Sequence, residues 1–324
     1  MMLTYIGLLI FSYLITYVLL YFLIPRLKRA GMIGKDINKP DRPEVAEMGG
    51  IGIVAGLTAG VLLAVFMNTF MGFQFNLLYV LAALITIHSV AFIGMVDDLI
   101  DIPQKIKALL PIFAAVPLIA ISAAGSTALT LPFIGQIQFG LLYLFILVPI
   151  GVAVASNLTN MLAGFNGMEA GMGIVVFVAA SILAIMHGNM EMLVLFVPML
   201  GALLAFFPFN KYPAKVFPGD VGNLSIGAVL ASGVIIGNFE TAGALLLLPY
   251  VADFFIKMAN KFPSRLWWGE YRDGKLYPVE GEVRGLAQLI MKIKNGVSER
   301  DLVWIFITIE AIVAAVTLFL FWVG

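Results

Sequence analysis

The sequence predicts an all-α polytopic membrane protein of about ten transmembrane helices, with both termini outside and a long inner loop before the last helix. Three observations predict it. Charged residues make up 12% of the 324-residue chain and hydrophobic ones 61%, with a mean hydropathy of +1.03, whereas a soluble domain carries about 25% charged residues. The apolar runs are roughly 20 residues long, the length a helix needs to cross a bilayer, and they do not alternate as barrel strands do. Lacking water in the hydrocarbon core, such runs must close their backbone hydrogen bonds internally. Finally, when the runs are threaded alternately through a membrane, all 19 Lys and Arg residues fall on one side, as the positive-inside rule requires.

The first run, 3–25, is followed directly by Arg26, Lys28 and Arg29, and nothing basic precedes it. It is too long for a signal peptide and lacks a small-residue cleavage site, so it is expected to remain as a span whose far end is cytoplasmic. Further spans are predicted near 49–69, 77–96, 104–124, 139–158, 169–187, 191–208, 223–237, 240–259 and 303–323. Alternation sets inner loops at 26–48, 97–103, 159–168, 209–222 and 260–302, and short outer loops near 70–76, 125–138, 188–190 and 238–239. Gly52, Gly56 and Gly60 recur at four-residue spacing on the second span, which lets a neighbouring helix approach closely. In the last inner loop, Trp267 to Tyr277 reads as a hairpin turning at Asp273 and Gly274. Residues 282–294 place Val283, Leu286, Ile290 and Ile293 on one face, the pattern of a helix lying on the inner membrane surface. No repeat or low-complexity linker divides the chain, and residues 1–324 are read as one integral membrane domain.

The chain contains no cysteine, which excludes disulfides, thiolate catalysis and cysteine metal sites. The chemistry must come from polar clusters on the inner side. Asp97, Asp98 and Asp101 crowd the inner end of the third span. Carboxylates are costly near a bilayer and repel one another, so three together call for water, basic partners or a cation. Pro103 is expected to start the fourth span, with Asp101 near its cap and Lys107 one turn inside; an acidic cap answering the lysines is the plainer alternative. Asn157 and Asn160 share a helical face at the inner end of the fifth span, and Asn166 with Gly167 reads as a turn, with Glu169 just beyond. Amide oxygens suit a hard cation, and amide N–H groups can hold a uracil, a sugar or a phosphate. Gly219 and Gly222 flank Asp220 at the start of the eighth span, where backbone N–H groups can face an anion. A fourth patch comprises Lys35, Asp36, Asn38 and Lys39, followed by Glu47. His88 lies within a span, where a bond to a neighbouring helix is expected, and His187 is expected on the outer side.

These patches, in this order, resemble the polyprenyl-phosphate N-acetylhexosamine-1-phosphate transferase family. The likeness runs from Gly34 to about Lys275, through Gly34–Lys39, the Asp97 and Asp98 pair with Lys107 to Pro111, Asn157–Gly171 and Phe217–Asp220. The first segment and the asparagine-rich one look most like the dolichyl-phosphate GlcNAc-1-phosphate transferases of eukaryotes and archaea. The resemblance implies a ten-helix fold and transfer of a phospho-sugar from UDP-GlcNAc to a polyprenyl phosphate with release of UMP. It also implies Mg²⁺, with Mn²⁺ as a substitute, a cytoplasm-facing site in the cell membrane or endoplasmic reticulum, and a homodimer; nucleic acid is not among the expected partners. By matching position, Asp220 and Asn160 resemble the metal ligands and Asp97 and Asp98 the paired aspartates, whose role as base or positioning group stays open. Lys107 resembles the lysine near the phosphates and Asn166 a nucleotide-binding asparagine, with Lys35, Asp36, Asn38, Lys39, Glu47 and Asn157 as further substrate-binding candidates. The bacterial branch carries a histidine-rich motif in the last inner loop, whereas this loop contains no histidine; Arg265, with Arg272 and Arg284 as alternatives, is the candidate to replace it.

Three other protein classes share part of this pattern. An intramembrane prenyltransferase also uses Asp-Asp-x-x-Asp with Mg²⁺, but needs a second aspartate-rich motif that Asp220 alone does not supply. An aspartyl intramembrane protease would need glycine where Phe217 stands. A secondary transporter would gather polar groups near the midplane and show repeated halves, whereas here they crowd one interface.

Overall fold

Long apolar runs dominate the chain, and the computed structural model, which describes residues 2–122, 126–131, 134–263 and 266–323, folds them into a helical bundle. Among the described residues nine helices are long and apolar enough to cross a membrane, or ten if one bent pair is a single span. The chain is an integral membrane protein.

Helix α1 (Met2–Arg29) leads to a short hairpin of β1 (Ile33–Lys35) and β2 (Glu44–Ala46), then to α2 (Gly50–Met71) and α3 (Leu77–Ile100). The third span was expected to stop before its aspartates, yet α3 continues through Asp97 and Asp98. Partnered acids need not leave the helix, and both find partners. The fourth span is broken into α4 (Gln104–Ala114) and α5 (Val116–Ser122), because Pro117 cannot donate to the carbonyl four residues back and its ring crowds that oxygen. Asp101 does not cap α4. It ends α3 in a left-handed conformation (φ 53°), is exposed, and leaves Pro103 at the start of α4.

The loop expected near 125–138 contains paired strands β3 (Ala128–Leu131) and β4 (Gly135–Gln138). A π-helical turn, Tyr143–Leu147, leads into α6 (Val148–Met161), followed by α7 (Met168–Met186), α8 (Met190–Asn210) and α9 (Gly219–Gly237). The ninth span is α10 (Glu240–Leu246) and α11 (Leu248–Ala259), bent by 63°. Pro249 stands in the first turn of α11, where its missing N–H costs no helical bond.

Strands β5 (Gly269–Arg272) and β6 (Lys275–Pro278) pair Arg272 with Lys275. The two residues between, Asp273 and Gly274, both have positive φ (45° and 81°), the geometry of a tight hairpin turn. Helix α12 (Leu286–Ile293) buries Ala287, Gln288, Ile290 and Met291, whereas Ile293 is 72% exposed. The buried face is therefore rotated from the one expected, because α12 packs on β6 and α11. Helix α13 (Glu299–Val323) closes the chain, starting earlier than predicted. His88 meets Thr58 of α2 at 2.9 Å, as expected, and His187 packs on Phe239.

Helix α9 is the axis. Of its most apolar stretch 83% is buried, against 22% for α1. Small residues allow this, since packing within a membrane depends on backbones approaching closely. On α2, a Cβ at Gly56 or Gly60 would strike Thr16 or Ser12 of α1. On α3, a Cβ at Gly94 would lie 2.6 Å from the carbonyl carbon and oxygen of Asp220. Those are backbone atoms, so no rotamer change relieves the clash. Gly94→Ala is expected to lower stability by about 1–3 kcal/mol, the usual range for overpacking; a lower melting temperature in detergent measures it, and unchanged melting would contradict this account of the α3–α9 contact.

Candidate active site

At the end of the bundle that carries the polar clusters, these helices enclose a cavity of about 1300 Å³. Its walls include Lys35, Asp36 and Glu47 from the segment between α1 and α2, Lys107 from α4, Asn157 and Asn160 from α6, and Asp220 and Asn223 from α9. Clusters distant in sequence thus meet around one space.

At its acidic end, Lys107 pairs with Asp97 Oδ2 at 2.6 Å and with Asp220. One ammonium therefore binds carboxylates from two helices. Asp97 Oδ1 also accepts the N–H of Ile102 at 2.7 Å, which fixes the turn between α3 and α4. Asp98 faces elsewhere: it accepts the backbone N–H groups of Asp220 and Val221, at 2.7 and 3.1 Å. These are orphan donors of the first turn of α9, so Asp98 is an N-cap supplied by another helix. Gly219, at φ +66°, leaves the room Asp98 needs, while the space beside Gly222 is filled by Pro218 and Gly50 and is not open to an anion.

Asn157 donates to the carbonyls of Ala108 and Ala153 and lines the cavity beside Asn160. Asn160 Oδ1 accepts from Asn223 at 3.3 Å, and Thr159 ties α6 to α9 by donating to the Asn223 carbonyl at 2.8 Å. Asn166 donates its amide to Asp36 at 2.9 Å and its backbone N–H to Glu299 at 2.8 Å. Lys39 joins the same buried network, pairing with Asp36 at 2.8 Å and with Glu299. Asn38 lies outside the cavity and is 1% exposed; it donates to the Gly164 carbonyl at 2.8 Å and accepts from the Gly269 N–H at 3.1 Å, clamping the β5 strand to the loop before α7. Lys35 is exposed at the rim. Burial pushes the Glu47 carboxyl above its usual range, so a ligand donor facing it would find a weakly solvated acceptor. Arg265 lies outside the described residues; Arg272 and Arg284 pair with Glu270 and Glu280, and neither lines the cavity.

The model of the family described as glycosyl transferase family 4 matches residues 80–238, which run from α3 to the end of α9. A protein of Saccharolobus solfataricus is 36% identical over 95% of this chain and 94% of its own, and is provisionally named a UDP-N-acetylglucosamine–dolichyl-phosphate N-acetylglucosaminephosphotransferase. This chain belongs to glycosyl transferase family 4. The Saccharomyces cerevisiae enzyme bearing the same name without qualification is 27% identical over 81% of the chain and 70% of its own. The phospho-N-acetylmuramoyl-pentapeptide-transferase of Halalkalibacterium halodurans is 30% identical over 76% and 78%. The archaeal and eukaryotic relatives are those the asparagine-rich segment leads one to expect, and a bacterial relative matches as well.

The cavity and the buried network beside it include residues that the sequence alone does not single out. Glu299 was hidden because the last span was drawn from 303, although Ser298 and Asp301 form a helix-start signal that their hydrogen bonds bear out. Glu169 lines the cavity, accepts the Gly164 N–H at 2.5 Å and keeps its second oxygen buried without a partner. Trp267 packs on Gly164 and lines the cavity.

Asp220, Asn160 and Asn223 line the same cavity and carry oxygen donors suited to a hard cation. Among the described residues no three His, Cys, Asp or Glu side chains form a ready-made cage. Asn223 Oδ1, beside Asn160, is buried without a hydrogen-bond partner. That donor set fits Mg²⁺, which is commonly held by one or two carboxylates together with substrate phosphates.

Proposed function

We propose that this protein transfers N-acetylglucosamine 1-phosphate from UDP-N-acetylglucosamine to a polyprenyl phosphate of the dolichyl type, releasing UMP, with Mg²⁺ as cofactor and Mn²⁺ able to replace it. The observation that carries the reading is the two-sided character of the cavity. One side is polar, with Asp36, Glu47, Lys107, Asn160 and Asp220, and suits a nucleotide diphosphate. The other is apolar, with Ile150 and Val154 of α6 and Val251, Phe254 and Phe255 of α11. Ile150, Val154 and Phe255 are about half exposed at the bundle surface, so a lipid chain can lie there while its head reaches the polar side. Names of relatives in both branches, each acting on a polyprenyl or muramoyl-pentapeptide substrate, support the same reaction class.

The acceptor phosphate is already an anion, so the nucleophile needs little deprotonation; the barrier is bringing anion to anion and stabilising charge on the transferring phosphoryl group. Asp220 and Asn160, with Asn223 adjoining, would hold Mg²⁺, which when bound neutralises diphosphate charge. Lys107 supplies a second positive charge there. Asp97 holds Lys107 in place, and Asp98 fixes the first turn of α9 and hence Asp220. The Asp36–Asn166–Glu299 network holds the loop before α7 against the nucleotide side. The basic residues, all on one side of the threaded spans, support a cytoplasmic face for this site, with both termini outside.

The test is UMP release by purified protein in detergent, with and without Mg²⁺ and polyprenyl phosphate, across UDP-GlcNAc, UDP-GalNAc and UDP-muramoyl-pentapeptide. Release is expected with UDP-GlcNAc only when both metal and lipid phosphate are present. Turnover without lipid phosphate, or preference for the muramoyl donor, would overturn the corresponding part.

A further inference from the structure

Lys257 lines the catalytic cavity from α11, a helix whose Val251, Phe254 and Phe255 form the apolar wall. It is the anchored lysine on that side: its side chain is 13% exposed, whereas Lys105 and Lys261 are exposed. Its ammonium pairs with Asp253 Oδ2 at 2.7 Å and donates to the carbonyl of Met161. Met161 is the last residue of α6 and directly follows Asn160, so the Lys257 charge stands at the C-terminal end of α6, and both residues line the cavity. Asp253 in turn accepts the N–H of Leu286 at 2.8 Å at the start of α12, which holds the inner end of α11 in place.

An ammonium has three N–H donors. The Met161 carbonyl takes one by hydrogen bond and Asp253 balances the charge as an ion pair, which leaves donor capacity on a lysine that lines the cavity. A helix with an apolar wall and a positive charge at its inner end matches an amphiphile with a hydrocarbon chain and an anionic head. We infer that Lys257 binds the phosphate of the acceptor lipid, holding it where the apolar wall meets the Asn160–Asp220 oxygens. The inference rests on the transferase reading above and names the group that receives its acceptor. Asp253 balances the Lys257 charge while the acceptor is absent and keeps the lysine extended toward Met161.

A lysine that only capped α6 and stapled α12 would affect donor and acceptor alike, whereas a head-group ligand would affect the acceptor alone. The experiment measures KM for UDP-GlcNAc and for a polyprenyl phosphate separately, in wild type, Lys257→Gln and Lys257→Arg. Lys257→Gln keeps a donor for Met161 but removes the charge; a lost charge-assisted hydrogen bond corresponds to about a 10- to 100-fold rise in acceptor KM. Donor KM is expected to stay within about twofold, and Lys257→Arg to recover most of the acceptor affinity. Retention of radiolabelled polyprenyl phosphate without donor should fall in Lys257→Gln, a readout independent of turnover. Unchanged acceptor KM, or donor and acceptor KM rising together, would overturn the assignment. Failure of the wild type to use any polyprenyl phosphate would instead overturn the transferase reading itself.

Discussion

Asp220→Ala is expected to lower UMP release about 10³-fold while the protein still folds. The magnitude follows from the role: a metal held at transferring phosphates contributes several kcal/mol of charge stabilisation, and about 4 kcal/mol is roughly 10³-fold in rate. Folding is expected to survive because the Asp220 side chain lies at the cavity wall and Lys107 keeps its other partner, Asp97, at 2.6 Å. Asp220→Asn separates charge from shape and is expected to be nearly as impaired. Mn²⁺ binding, followed by its magnetic resonance signal in the presence of UDP-GlcNAc, should weaken in both variants. Normal turnover with unaltered Mn²⁺ affinity would remove Asp220 from the metal site.

Asp98→Ala is expected to damage stability and activity together, which distinguishes it from Asp220→Ala. Asp98 accepts two N–H groups at the start of α9, and an unsatisfied buried donor costs about 1–3 kcal/mol. With both donors orphaned, the melting temperature in detergent should fall clearly, and Asp220, carried on that first turn, should lose its position. Asp98→Asn retains one acceptor oxygen and is expected to lie between wild type and alanine on both measures. A different result would reassign the residue: an Asp98→Asn protein of wild-type stability with no activity would point to a base or a ligand in place of a cap.

The paired aspartates show where reading the sequence stops. Adjacent on α3, Asp97 and Asp98 project in different directions, one toward Lys107 and the other toward the backbone of α9. Their shared motif says nothing of that division, because it depends on how α3 lies against α9, and Gly94 sets that approach. Asn38 teaches the same lesson. It stands among residues that line the cavity, yet both ends of its amide serve backbone groups of other segments, so its nearest effect is on the loop that carries Asn166.

Span number, the crowding of polar residues at one interface and the family motifs were settled by the sequence alone, because hydropathy and charge placement act along the chain within each span. Expected helix ends differ at Asp97 and Glu299 for one reason: a charge is expected to end a span, whereas a charge with a partner can stay in it. Those partners come from other elements, Lys107 of α4 for Asp97 and Lys39 of the first loop for Glu299. Helix packing alone brings such pairs into contact, and so the tertiary structure, by setting the bend before α11 and the close approach of α3 to α9, decided which polar groups meet around the cavity.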